Sequence, residues 1–145
     1  MIDAESAIFD KVASRFSQSY PDGSCYSELV DTPANFPCLV LIEEDNATYE
    51  GSLDASHREH NATLLYSVNI YSNKISGAKQ ECKAIMELVD REMQNLGFTR
   101  VFCNQMKNAD IRIYRVAARY RGVISEDYRI YRTVIYWRLI YLPRA

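Results

Sequence analysis

The chain has 145 residues, 48% of them hydrophobic and 25% charged, which suffices for one core of ordinary size and leaves no room for a second. That balance excludes a disordered chain, and no apolar run approaches the roughly 20 residues of a membrane-spanning helix. The formal net charge of −2 conceals an asymmetry: residues 1–60 carry 3 Lys/Arg against 12 Asp/Glu, whereas residues 107–145 carry 9 against 3. Unlike halves either neutralise each other inside one fold or steer one chain onto another. Acids at Asp3 and Glu5 stand where a secretory signal would be basic, so the chain is expected to stay in the cytoplasm that makes it.

In chain order, residues 2–18 predict an amphipathic helix, with Ile8, Val12 and Phe16 recurring every four positions. Tyr20-Pro21-Asp22-Gly23 ends it, since proline cannot extend the helix and Asp-Gly favours a turn. Residues 24–36 read as an irregular connector. The short apolar run Cys38-Leu39-Val40-Leu41-Ile42 predicts a strand covered on both faces. Beyond it, residues 44–60 are acidic and polar, and read as a long loop or a projecting hairpin arm.

Residues 62–72 alternate, with Leu64, Tyr66, Val68 and Ile70 on one face of a strand. A second helix follows, capped by Ser76, with Ala78, Cys82, Ile85, Val89, Met93 and Leu96 in one stripe and Gly97 in the position after its C-cap. Three further strands are expected at 98–105, 111–124 and 129–141. The order α-β-β-α-β-β-β predicts an α+β fold: a mixed, largely antiparallel sheet of about five strands with two helices packed on one face.

Chemistry is sparse. Cys25, Cys38, Cys82 and Cys103 form no metal or disulfide framework, and Cys82 and Cys103 read as small buried hydrophobes. The one histidine pair, His57 and His60, falls in the polar stretch, where nothing rigid would orient the rings. There is no glycine-rich phosphate loop and no nucleophile elbow. No catalytic residue, cofactor or metal ligand is expected, and the chain does not read as an enzyme.

The last two strands interleave Arg with Tyr: Arg115, Arg119, Arg121, Arg129, Arg132 and Arg138 among Tyr114, Tyr120, Tyr131 and Tyr136. Three readings fit: a nucleic-acid surface, with guanidinium groups on phosphates and rings on bases; a protein interface, where Tyr, Trp and Arg concentrate; or one solvated face of a half-buried sheet.

The succession of textures resembles a known family. A short helix leads to Tyr20-Pro21-Asp22, and Phe36-Pro37-Cys38 opens a strand that runs into Glu43-Glu44-Asp45-Asn46. Val68-Asn69-Ile70-Tyr71-Ser72-Asn73 precedes a helix ending Asn95-Leu96-Gly97-Phe98, and an Arg/Tyr strand pair closes the chain. Together these resemble the tail-terminator (tail-completion, head-tail joining) proteins of long-tailed bacteriophages and prophages. The resemblance implies a structural virion protein, assembled in the bacterial host cytoplasm, that forms a homo-oligomeric ring, typically a hexamer, at the head-proximal end of the tail tube. The ring's partners would be the tail tube protein and the head connector or stopper protein, with DNA passing through the lumen without specific binding and no membrane involved. The runners-up are a nucleic-acid-binding module and another minor tail or connector protein of the same fold.

For a ring, Glu43, Glu44, Asp45 and Glu50 are the candidate acidic interface, and Arg115, Arg119, Arg121, Arg129 and Arg132 the candidate basic one. Glu43, Glu44 and Asp45 are also candidates to face the lumen. On that expectation, reversing all three to lysine retains DNA in the channel or stalls ejection, and unchanged ejection rejects it.

Overall fold

The structure, a computed structural model, describes residues 1–52, 55 and 59–126. Within them the chain forms α1 (Glu5–Ser19), β1 (Ser24–Tyr26), β2 (Cys38–Thr48), β3 (Asn61–Ser72), α2 (Ala78–Asn95), β4 (Thr99–Met106) and β5 (Tyr114–Ser125). The five strands make one sheet in the order β1-β2-β3-β5-β4, antiparallel throughout except for the β1–β2 pair. This is the expected α+β fold. With the three-residue β1 set aside, the described elements follow the expected order, and the strand expected at 129–141 lies outside the described residues.

Both helices cover one face of the sheet. Ile8, Val12 and Phe16 of α1 and Cys82, Ile85, Met86, Val89 and Met93 of α2 are buried. They pack on Leu39 and Leu41 of β2, on Ala62, Leu64, Tyr66, Val68 and Ile70 of β3, and on Val116, Ala118, Tyr120 and Ile124 of β5. Each strand supplies alternate residues to this core, as a period of two requires.

Local chemistry fixes the ends of the helices. The α1 backbone closes with Tyr20 N–H on the Phe16 carbonyl at 2.8 Å, and the two rings stack at 5.4 Å. At the end of α2, Gly97 takes φ 91°, which L side chains resist. Its N–H reaches Gln94 and that of Phe98 reaches Met93, so two orphan carbonyls are satisfied while the Phe98 ring is buried. The expected Ser76 cap does not form: the N-cap is Gly77 at φ 86°, with no side-chain cap bond.

Residues 24–36, expected to be irregular throughout, contain β1, which runs parallel to Cys38–Val40 of β2. Gly23 makes this possible. A Cβ there would stand 2.6 Å from the Pro37 carbonyl oxygen and 3.0 Å from the Phe16 ring, and the next residue donates its N–H to that same carbonyl at 3.0 Å. Gly23→Ala is therefore expected to destabilise the fold by about 1–3 kcal/mol, the usual range for overpacking, as read from a urea melt.

The 44–60 stretch begins as paired strand. β2 continues past its apolar half to Thr48, opposite Ala62, with a bulge between Glu43 and Asp45. A 3-10 turn at Glu50–Ser52 follows. Cys82 is fully buried, as expected, but Cys103 is exposed. It lies on β4, the outermost strand on its side among the described residues, and alternation in sequence cannot distinguish such a strand from a central one.

Candidate subunit interface

Alternation sends Glu43 and Glu44 to opposite faces of the sheet, and the bulge sets Asp45 opposite Leu65, on the side of Glu44. Glu43 lies on the helix side, where the Tyr66 hydroxyl donates to its carboxylate at 2.9 Å. Burial raises the Glu43 pKa, and the hydrogen bond from Tyr66 opposes that rise. Glu44 lies on the other face, 3.0 Å from the Arg119 guanidinium. Asp45 is exposed and accepts the Asn46 N–H at 3.0 Å. Glu50 is exposed in the 3-10 turn. The three acids expected to act together at a lumen therefore do not share a face.

The face away from the helices carries the arginines of β5, as alternation predicts. Two of them lie flat on it rather than reaching outward. Arg115 donates through Nε and Nη2 to the Asn69 side-chain oxygen at 3.0 and 2.8 Å and sits 5.6 Å above the Tyr71 ring. Arg119 combines its pair with Glu44 and a position 5.5 Å over the Phe102 ring. These contacts stretch the guanidinium groups over apolar surface. Arg121 is exposed on the same face, and Arg129 and Arg132 lie outside the described residues.

The Glu44–Arg119 pair joins the two candidate patches inside one molecule, so part of the charge asymmetry is settled within the fold. Part of the remainder is separated. Glu50 follows the last residue of β2, Thr48, which pairs with Ala62 at the start of β3. Lys74 follows the end of β3, Ser72. β3 is 12 residues long, about 36 Å of extended chain, whereas charges in physiological salt are screened over about 8 Å. Glu50 and Lys74, at opposite ends of the sheet, cannot neutralise each other, whereas the exposed Arg121 lies toward the acidic end, paired with Leu65, which pairs in turn with Asp45.

The acidic end has its own internal fastening. The Glu59 carboxylate accepts the Thr48 hydroxyl and the Ile2 N–H, each at 2.7 Å, while the Asn46 amide donates to the Ile2 carbonyl at 2.7 Å. These bonds tie the N-terminal residues to the hairpin. The Thr48 hydroxyl first, then the Ile2 N–H and the terminal charge, hold the Glu59 carboxyl below its ordinary pKa. A lowered carboxylate stabilises the fold above its unfolded pKa, and that contribution fades as pH falls through the folded value. Glu59→Gln should thus lower the melting temperature at pH 7, with the gap to the parent closing on acidification, in melts run across that range.

Groups suited to catalysis are poorly placed. Burial pushes the Cys25 and Cys82 thiols up to about 12, so neither is a thiolate at neutral pH. His60 lies 3.3 Å from the Glu126 carboxylate, and His57 is outside the described residues. Among the described residues, no three His, Cys, Asp or Glu side chains gather closely enough to hold a metal ion, and no helix is long and apolar enough to cross a membrane.

Sequence reasoning missed a cleft of about 880 Å³ at the cationic end, between the β3–α2 connection and the β4–β5 connection. Lys74 and Ile75 line it from one side, and Lys107, Ile111 and Arg112 from the other. A break between the strands expected at 98–105 and 111–124 was legible, but the meeting of two connections distant in sequence was not. Comparison with known proteins finds no family model that matches the chain and no match among curated proteins.

Proposed function

We propose that the chain is a structural assembly protein of the tail-terminator kind, a ring subunit that caps the head-proximal end of a phage tail tube and offers a docking surface to the head connector. The observation that carries this reading is the placement of exposed acids, Asp45 and Glu50, toward one end of the sheet and of the exposed lysines Lys74 and Lys107 at the other. Such groups find a complement in another copy, and a heterologous contact of that kind closes into a ring when the rotation allows. The resemblance of the sequence to tail terminators supports it, as does an α+β domain whose two helices occupy one face of the sheet.

A nucleic-acid module would need its arginines extended toward phosphates. Arg115 and Arg119 are folded onto the sheet, which favours the assembly reading.

Deleting the coding sequence from the phage or prophage that carries it tests the proposal. The expected result is tails of uncontrolled length and heads without tails. Tails of normal length joined to heads would overturn it.

A further inference from the structure

The cleft at the cationic end has the makings of a docking site for a specific occupant. Exposed large hydrophobic side chains are scattered over the described surface, yet Ile75, Met106 and Ile111 all line this one cleft. Grouped apolar exposure of this kind marks interaction surfaces, whereas single exposed residues need no explanation. Lys74 and Lys107 have no carboxylate within ion-pair distance among the described residues, and Arg112 pairs only with Asp110 of its own connection, at 2.9 Å. Asp110 holds the Arg112 side chain by two hydrogen bonds and also accepts its backbone N–H. The connection is thereby braced, which lessens the ordering cost of binding, and Lys74 and Lys107 are the cations left at the rim.

The opposite end supplies a matching shape. Tyr49 is 43% exposed beside Glu50 at the tip of β2, with Asp45 on the strand before it. An aromatic ring with two acids near it suits a cleft whose half-buried lining includes Phe36, Ile113 and Tyr114 and whose rim carries exposed isoleucines and lysines, because the ring meets apolar surface while the acids meet the cations. About 36 Å of strand prevents one molecule from making this contact with itself.

We infer that the cleft between Lys74–Ile75 and Lys107–Arg112 receives the Asp45/Tyr49/Glu50 tip of a second copy of this chain. The inference rests on the assembly reading and names the contact that would build the ring. Each copy offers one cleft and one tip, so the contact propagates head to tail, and closing the ring strengthens a contact that is weak as a single pair.

Sedimentation velocity on the full chain at about 20 mM and about 500 mM salt, which spans the screening range, tests it. The parent should associate at low salt and dissociate at high salt. Lys74→Glu with Lys107→Glu should weaken association at least about tenfold, and Asp45→Lys with Glu50→Lys should do the same. All four side chains are exposed, so the melting temperature should hold and report that folding is intact.

The decisive arm mixes the two double variants. Each is defective alone, but the reversed cleft of one fits the reversed tip of the other, so the mixture should regain association. A parent that stays monomeric at low salt overturns the inference. So does either variant associating like the parent, or a mixture that stays apart while the parent assembles. If the cleft variant loses affinity for duplex DNA and still associates normally, the cleft serves nucleic acid instead. The tail reading fails separately: a protein that self-associates through this contact yet leaves tube ends uncapped refutes that reading alone.

Discussion

Replacing Tyr66 with alanine will cost the fold about 3–5 kcal/mol, the range for deleting a large buried ring, read as a fall in the urea midpoint. Tyr66 is among the largest fully buried side chains. Its ring meets Phe98 edge to face at 5.4 Å, and its hydroxyl donates to Glu43 at 2.9 Å. The alanine variant loses the packing, leaves a cavity against Phe98 and strands a half-buried carboxylate. Tyr66→Phe separates these effects. It keeps the ring, so the cost should drop to about 1.5–3 kcal/mol, the usual worth of a hydrogen bond to a charged group.

It should also shift a titration. Burial raises Glu43 and the Tyr66 hydroxyl restrains it, so the phenylalanine variant raises the Glu43 pKa further. A raised carboxyl gives stability that is fully present below the unfolded pKa and is lost as pH rises through the folded value. The penalty of Tyr66→Phe should therefore be largest near neutral pH and shrink on acidification, and carboxyl NMR of Glu43 should follow the same curve.

Asp90→Ala should cost about 3 kcal/mol, since hydrogen bonds to charged groups are each worth about 1.5–3 kcal/mol and partly overlap. One carboxylate accepts the Tyr120 hydroxyl at 2.8 Å, Arg100 Nη1 at 2.9 Å and Gln94 Nε2 at 3.0 Å. It joins the middle of α2 to β4 and β5. The ion pair with Arg100 is half exposed, and exposed pairs contribute little. The larger part of the loss comes from Tyr120, whose fully buried hydroxyl would keep only a weak contact with the Met86 sulfur at 3.6 Å. Arg100→Ala should accordingly cost less than about 1 kcal/mol. Equal losses from the two variants in denaturant melts would show that the ion pair, rather than the buried hydroxyl, dominates.

Periodicity carried most of the fold. The stripe of α2 with Gly97 behind it, the alternation of 62–72 and the two faces of 111–124 each state their burial in local sequence. Elements defined by distant partners were not legible. β1 is three residues without a period, and it exists because Gly23 lets the chain come within reach of Pro37. The polar stretch after Glu43 reads equally as a loop or as a hairpin arm. Its first residues are strand because β3 offers partners as far as Ala62, and the bulge brings Asp45 to the side of Glu44.

The candidate interface shows the same division. Alternation places Arg115 and Arg119 on one face, but not that Asn69 and Glu44, far away in sequence, lay them flat. Those contacts leave Arg121 exposed on the sheet face and the lysines at its end. There Lys74 and Lys107 come from two connections that no single stretch of sequence brings together.

The central claim is that this chain's unlike ends are completed by other protein chains. Light scattering on the purified protein mixed with tail tubes whose head-proximal ends are free tests it most directly. Each tube should gain the mass of one ring at one end and stop growing. Tubes that keep elongating, with the added protein remaining in solution as a monomer, would contradict it.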